Sequence, residues 1–300
     1  MKRFASLPLL FALALLTGCL DFERETVTYH HNAKTDTLRF HLVYHGIFGG
    51  EGRPGLSESE QEQLRDVLTN QRAFFFTNWI FEYNRKQIQE GLEKVRDPNE
   101  NAGKPPALVA KQKKLLELLL ANVRVENGPF FLDDRGRLCG AQRVTLQKTS
   151  EIIRAANELI REELRHQADD PMSDDDDREA IRRSLAKAEA FLRLTGNRLA
   201  LRWPMTRGDH EKQFGEQGDG ESKSALGEFV AQGGHFAWER DEVFVHIGTT
   251  NQQPATLAMR LGKNQYTPNA VPAVRSRAKI LEKFDAPAAV KAFLETGKTP

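Results

Sequence analysis

Between residues 37 and 45 the chain alternates Leu38, Phe40, Leu42 and Tyr44 with Arg39, His41, Val43 and His45. That two-residue period predicts a strand in a sheet with one buried face. A shorter run at residues 26–31 precedes it, and Asn32-Ala33-Lys34-Thr35-Asp36 between the two is turn chemistry, so they pair as a hairpin. Ser57 with Glu60 has the spacing of a capping box. It opens a long helix expected to reach Arg96, where Asp97-Pro98 stops it. The middle of that helix, Phe74-Phe75-Phe76 through Trp79-Ile80-Phe81, is apolar on nearly every side and is expected to be buried all round.

Residues 108–120 predict another helix. Residues 130–132 and 138–146 then read as a second hairpin around a 133–137 turn, followed by helices at 150–167 and 173–194 that Gly196-Asn197 ends. Strands are expected at 199–203, 243–247 and 256–261, and helices at 275–284 and 287–295. Residues 207–224, rich in glycine and charge, read as a loop. The fold class is therefore α+β, antiparallel hairpins or sheet packed with several helices, including one long helix. The order hairpin, helices, hairpin, helices hints at duplication without residue-level similarity to carry it, and a division into two subdomains would fall near residue 148.

Charge narrows the function classes. Residues 1–18 hold Lys2 and Arg3 and no acid, so without them 43 basic and 42 acidic residues become 41 and 42. A chain this close to neutral has no bulk attraction for nucleic acid, and no such partner is expected. The 300 residues less those 18 leave 282, enough for one large domain or two small ones. Cys19 and Cys139 are the only cysteines. With Cys19 modified, no disulfide within the chain is available and apolar burial must hold the fold.

The first twenty residues have a pattern of their own. Lys2 and Arg3 precede an apolar run, residues 7–16, that is too short to span a bilayer, and small residues follow. This is the layout of a secretion signal. The stretch Leu16-Thr17-Gly18-Cys19 resembles the lipobox of bacterial lipoproteins. The resemblance covers only this N-terminal segment, so it implies an address and no activity. It implies cleavage between Gly18 and Cys19 and a diacylated Cys19 as mature N-terminus. The divisions that follow are a signal peptide at 1–18, a lipidated N-terminus and tether at 19–25, and an α+β domain at 26–300. A lipid-anchored place in the cell envelope is expected, on the outer membrane if the cell is Gram-negative, since Leu20 rather than Asp follows Cys19. Several acyl chains anchor stably where one does not.

Other motifs in the chain bear on its chemistry. Gly50, Gly52 and Gly55 match a dinucleotide-binding turn, but the strand before them belongs to an antiparallel hairpin and Pro54 stiffens the turn, so no cofactor is expected. His30, His41 and His45 share one face of the first hairpin and are the candidate metal ligands; Arg39 on that face opposes a cation, and no acid or thiol completes the set. Asp174 to Asp177 lack the central glycine of a calcium loop and suit a helix N-terminus after Ser173. Ser184 and Ser276 each begin an S-x-x-K match without the partner motifs, and His210-Glu211 lacks the second histidine of a zinc helix because Phe214 stands there. Cys139 is a candidate nucleophile only if an imidazole such as His210, His235 or His246 lies beside it; otherwise it packs as a small apolar residue.

Two functional readings survive. One is a non-catalytic envelope lipoprotein whose surface meets another envelope protein. The other is a lipid-tethered hydrolase or metal-dependent enzyme whose active-site residues are dispersed along the chain.

Overall fold

The computed structural model describes residues 21–49, 57–75, 81–170, 175–187, 190–203, 208, 211, 234–239, 242–247, 255–260 and 280–281. The hairpin β1 (Asp21–Asn32) and β2 (Thr37–Phe48) leads to helix α1 (Glu58–Thr69), a short hairpin β3 (Arg72–Phe75) and β4 (Phe81–Asn84), and helices α2 (Arg85–Arg96) and α3 (Pro106–Asn122). A second hairpin, β5 (Val123–Leu132) and β6 (Leu138–Gln147), is followed by α4 (Thr149–Asp169) and α5 (Asp175–Ala186). Strands β7 (Leu192–Thr195), β8 (Arg198–Trp203), β9 (Gly234–Glu239), β10 (Glu242–Ile247), β11 (Ala255–Arg260) and β12 (Ile280–Leu281) come last. The protein is α+β, as its residue pattern implies.

The larger sheet has the order β11-β1-β2-β6-β5-β12, and a second sheet has the order β7-β8-β10-β9. All pairs in the larger sheet are antiparallel except β12 with β5. Its two hairpins join through their second strands, β2 against β6, so the repeated order seen along the chain becomes one continuous sheet. The first hairpin has the expected register, His30 opposite Arg39 and Thr28 opposite His41. Its turn is built by Asn32, whose Oδ1 accepts from the N–H groups of Lys34 and Thr35 at 3.0 and 3.3 Å.

One face of this sheet makes the main core. Val27, Tyr29, Leu38, Phe40, Leu42 and Val144 pack with Leu64 of α1, Leu108 and Leu115 of α3, and Ile152, Ala155 and Leu159 of α4. Full burial of each such side chain is worth about 1.5–3 kcal/mol. Gly46, at φ +66°, interrupts the strict alternation, so Ile47 as well as Tyr44 joins this core. Phe22 closes it from β1, its ring 5.1 Å from that of Tyr44 and edge-on.

Several expectations are corrected. The long helix from Ser57 to Arg96 is broken into α1 and α2, 12 residues each, by the β3–β4 hairpin. The capping box at Ser57 and Glu60 forms, but Asn70 caps the C-terminus and Gln71 turns the chain at φ +51°. Phe74, Phe75, Phe81 and Tyr83 suit extended backbone better than helix once a sheet is there to receive them. Trp79 lies outside the described residues. The longest described helix is α4, of 21 residues. The helix expected at 173–194 stops at Ala186, and Leu192–Thr195 is a strand. Gly196-Asn197, read as a helix stop, is the two-residue turn of the β7–β8 hairpin. Strand β1 starts at Asp21 rather than residue 26, β5 starts at Val123 rather than Phe130 with a register shift between Asn127 and Phe130, β9 has no counterpart among the expected strands, and Ile280–Leu281 is strand within the helix expected at 275–284.

Candidate functional site

The three candidate histidines lie where the hairpin register puts them, on the face opposite the main core, and His41 also pairs with Arg143 of β6. That face is not polar and open. Thr28 and His41 are fully buried and Val43 is 1% exposed. β2 is a central strand flanked by β1 and β6, and both its sides are covered, which corrects the expectation of a single buried face.

Burial brings the pKa of His41 down to about 4, and the Arg143 guanidinium adds to the effect. His45 is also brought down to about 4, by burial first and then by Arg24 and Arg137, with Asp133 pulling the other way. Burial, Arg39 and His31 lower His30. His45 Nε2 lies 3.0 Å from Thr26 Oγ1. Among the described residues no group of three or more His, Cys, Asp or Glu side chains could hold a metal ion, so His30, His41 and His45 are not brought together as one.

Cys139 is fully buried with Val43, Phe131 and Ala141. Burial pushes its thiol up to about 11, and Sγ faces the Arg137 carbonyl at 3.6 Å. A fully buried thiol pushed away from its thiolate form suits packing better than nucleophilic attack.

Ser184 is buried at the end of α5, where its carbonyl and hydroxyl oxygens accept from Arg202 Nη2 at 2.6 and 2.9 Å. Arg202 is itself fully buried and stacks on Phe191. Asp175, in the first turn of α5, pairs with Arg178. His235 and His246 are register partners on β9 and β10. Cys19, Gly50, Gly52, Gly55, Ser173, Asp174, His210, Phe214 and Ser276 lie outside the described residues, as do residues 207–224 except Gly208 and Glu211, which are helical where a loop is expected.

Two polar assemblies go beyond what the residue pattern predicts. In the first, Tyr44 reaches across the core to the β3–β4 hairpin. Its hydroxyl donates to Gln142 Oε1 at 2.9 Å and accepts from the Phe74 N–H at 3.0 Å. Gln142 Nε2 donates to the Arg72 carbonyl at 2.9 Å and to Asn127 Oδ1 at 2.8 Å. Arg72 spans Glu82 and Asp66, at 2.6 and 2.7 Å. Burial and the nearby Glu25 and Glu82 charges raise the Tyr44 pKa well above the phenol range, so the hydroxyl keeps its proton. Each polar atom at these core-facing positions helps fasten the small hairpin to the sheet.

In the second assembly, the turn end of the β1–β2 hairpin meets both the start of α4 and the β7–β8 turn. Lys148 opens α4 in a left-handed conformation and offers no side-chain cap. Asp36 supplies one from the β1–β2 turn: the Ser150 N–H donates to its two carboxylate oxygens at 3.0 and 3.2 Å, and Ser150 Oγ donates at 2.7 Å. His31 binds the β7–β8 turn, its N–H donating to Asn197 Oδ1 at 2.6 Å and its Nδ1 to the Gly196 carbonyl at 3.1 Å. Tyr29 hydrogen-bonds to the backbone of Leu199 in the same corner. These contacts join the two sheets.

The signals for these assemblies were uneven. Tyr44 and Gln142 stand at core-facing positions of their strands, and a polar atom there calls for a buried partner. Asp36 capping a helix more than a hundred positions away has no local signature. Compared with protein-family models, with curated proteins and with solved structures, the chain finds no match in any of the three.

Proposed function

We propose that this chain is a lipid-anchored envelope protein, acylated at Cys19, whose folded part is a non-catalytic interaction or assembly module. The observation that carries this reading is where the sheet starts. Asp21 is already paired with Phe48, so cleavage between Gly18 and Cys19 removes no residue of the described sheet and leaves the acylated cysteine two residues from it. Four titratable groups shifted by burial fit a scaffold. Cys139 and Tyr44 are pushed up, and His41 and His45 are brought down to about 4, each away from neutrality in the direction that silences acid–base chemistry at pH 7. No described helix is long and apolar enough to cross a membrane, which gives the lipid the anchoring role in this reading.

Mass spectrometry of the full chain expressed in a bacterial host should find an N-terminal peptide that begins with acylated Cys19. Cys19→Ser should move nearly all of the protein from the membrane fraction to the soluble one. An unmodified peptide bridging Gly18 and Cys19 in the mature protein would overturn the proposal.

A further inference from the structure

Several described segments meet at the end of the large sheet where Asp21 lies. Asp21 pairs with Phe48 at the close of β2, and β6 begins at the same end, Leu138 opposite Leu132 of β5. The 133–137 turn is tied to the start of β1 by the Arg137–Glu23 ion pair. It is held in shape by Asp133, whose carboxylate accepts from the N–H groups of Arg135 and Arg137 at 3.0 and 2.9 Å. Arg24, Asp134 and Arg135 are exposed there.

Two residues of extended chain span about 7 Å, and the headgroup layer of one leaflet is roughly 5–8 Å deep. With Cys19 acylated, this end of the sheet has no slack to stand away from the bilayer. Both faces of the sheet's centre are already covered, so the sheet has no bare face there to lay on lipid.

We infer that the phospholipid headgroup surface is the partner of this end, with Arg24, Arg135 and the 133–137 turn against it. The inference rests on the proposed acylation of Cys19. The opposite end, with the 32–36 turn, the Asp36-capped start of α4 and the Gly196-Asn197 turn, points away. The 12 residues of β1 place that end roughly 35–40 Å from the membrane. Among the side chains described at the near end, Arg24, Arg135 and Arg137 are balanced by Glu23, Asp133 and Asp134, so headgroup charge gives no net pull from them and the short tether sets the placement.

The test uses the full lipidated protein in vesicles containing headgroup spin-labelled lipid, made of phosphatidylcholine alone or with phosphatidylglycerol. A fluorophore is attached at Arg135→Cys or at Lys34→Cys, while the native Cys139 stays buried. Quenching should be several-fold stronger at position 135 than at position 34 in both lipids. Equal quenching, or stronger quenching at 34, in protein that carries acylated Cys19 and floats with the vesicles overturns the orientation alone. Protein that neither carries the lipid nor floats overturns the anchoring as well. Ten Gly/Ser residues inserted between Leu20 and Asp21 should leave flotation intact and remove the contrast between the two labels. A contrast that survives the insertion overturns the tether as its cause.

Discussion

The two faces of β2 differ in chemistry far more than in exposure. One presents Leu38, Phe40, Leu42 and Tyr44 to the main core, and the other presents Arg39, His41, Val43 and His45 to a second covered surface. On the first face the polar atoms of Tyr44 and Gln142 are bonded to each other and to the small hairpin. On the second, an imidazole is buried in its uncharged form beside threonines and a small cluster of Val43, Phe131, Cys139 and Ala141. Burying a neutral ring costs far less than burying a charge. A central strand can therefore hide histidines that would be solvated at a sheet edge. Period-2 alternation reports that two faces differ, and the number of neighbouring strands and layers decides whether either is wet.

The largest expected effect lies on the apolar face. Leu42 is fully buried in the main core, among the helices that cover the sheet. Leu42→Ala removes its outer methyl groups and leaves a cavity that surrounding layers cannot fill, so urea unfolding should show a loss of about 2–5 kcal/mol. A loss below about 1 kcal/mol would mean this face is not the core that holds the protein together.

Acid should probe the other face. An unfolded histidine titrates near 6.5, whereas folded His41 and His45 are held at about 4. Between those values the unfolded chain binds protons that the folded chain refuses, so stability is complete above pH 6.5 and falls as pH drops toward 4. The fall should be about 1–3 kcal/mol, with fully buried His41 the larger contributor. Urea midpoints measured from pH 7 to pH 5 should slope downward, and His41→Gln should flatten the slope. A midpoint that does not move over that range in the parent protein would show that the histidine face is solvated.

The contrast between the faces also explains what could be read from the chain. The pairing and register of the first hairpin, the 133–137 turn with β6, and α3 and α4 were legible because period and turn chemistry agree over each segment, whereas residues 123–129 of β5 were not, since Gly128-Pro129 interrupts the pattern. The β3–β4 hairpin was not, because Phe74-Phe75 and Phe81 fit a buried helix and a buried strand equally well by hydrophobicity, and only the receiving Tyr44 hydroxyl and the left-handed Gln71 decide. Gly196-Asn197 ends a helix or turns a hairpin with the same residues, and what decided is that Leu192–Thr195 has β8 to pair with. Among the candidate sites, Cys139 as a packing residue was legible from its apolar strand. The burial of His41 was not, since it depends on layers that the hairpin itself does not encode.

Val43 gives the smallest expected effect and the sharpest separation of the two faces. It neighbours Leu42 along the chain, points to the opposite side, and is 1% exposed against Phe131, Cys139 and Ala141. If the second face were solvated, as alternation alone suggests, Val43→Ala would remove two exposed methyl groups and change stability by less than about 0.5 kcal/mol. With the face covered, the same change forfeits buried contacts in a cluster of four side chains and should cost about 1–2 kcal/mol, less than Leu42→Ala because the cluster is small and its neighbours can close in. The two variants share a strand and a secondary structure, so the intrinsic β preference lost by shortening either residue is similar and the difference reports the faces. The double variant settles whether they are independent. Additive losses in urea unfolding would mark two separately packed layers, whereas a coupling above about 0.5 kcal/mol would mean that strain passes through the β2 backbone from one layer to the other.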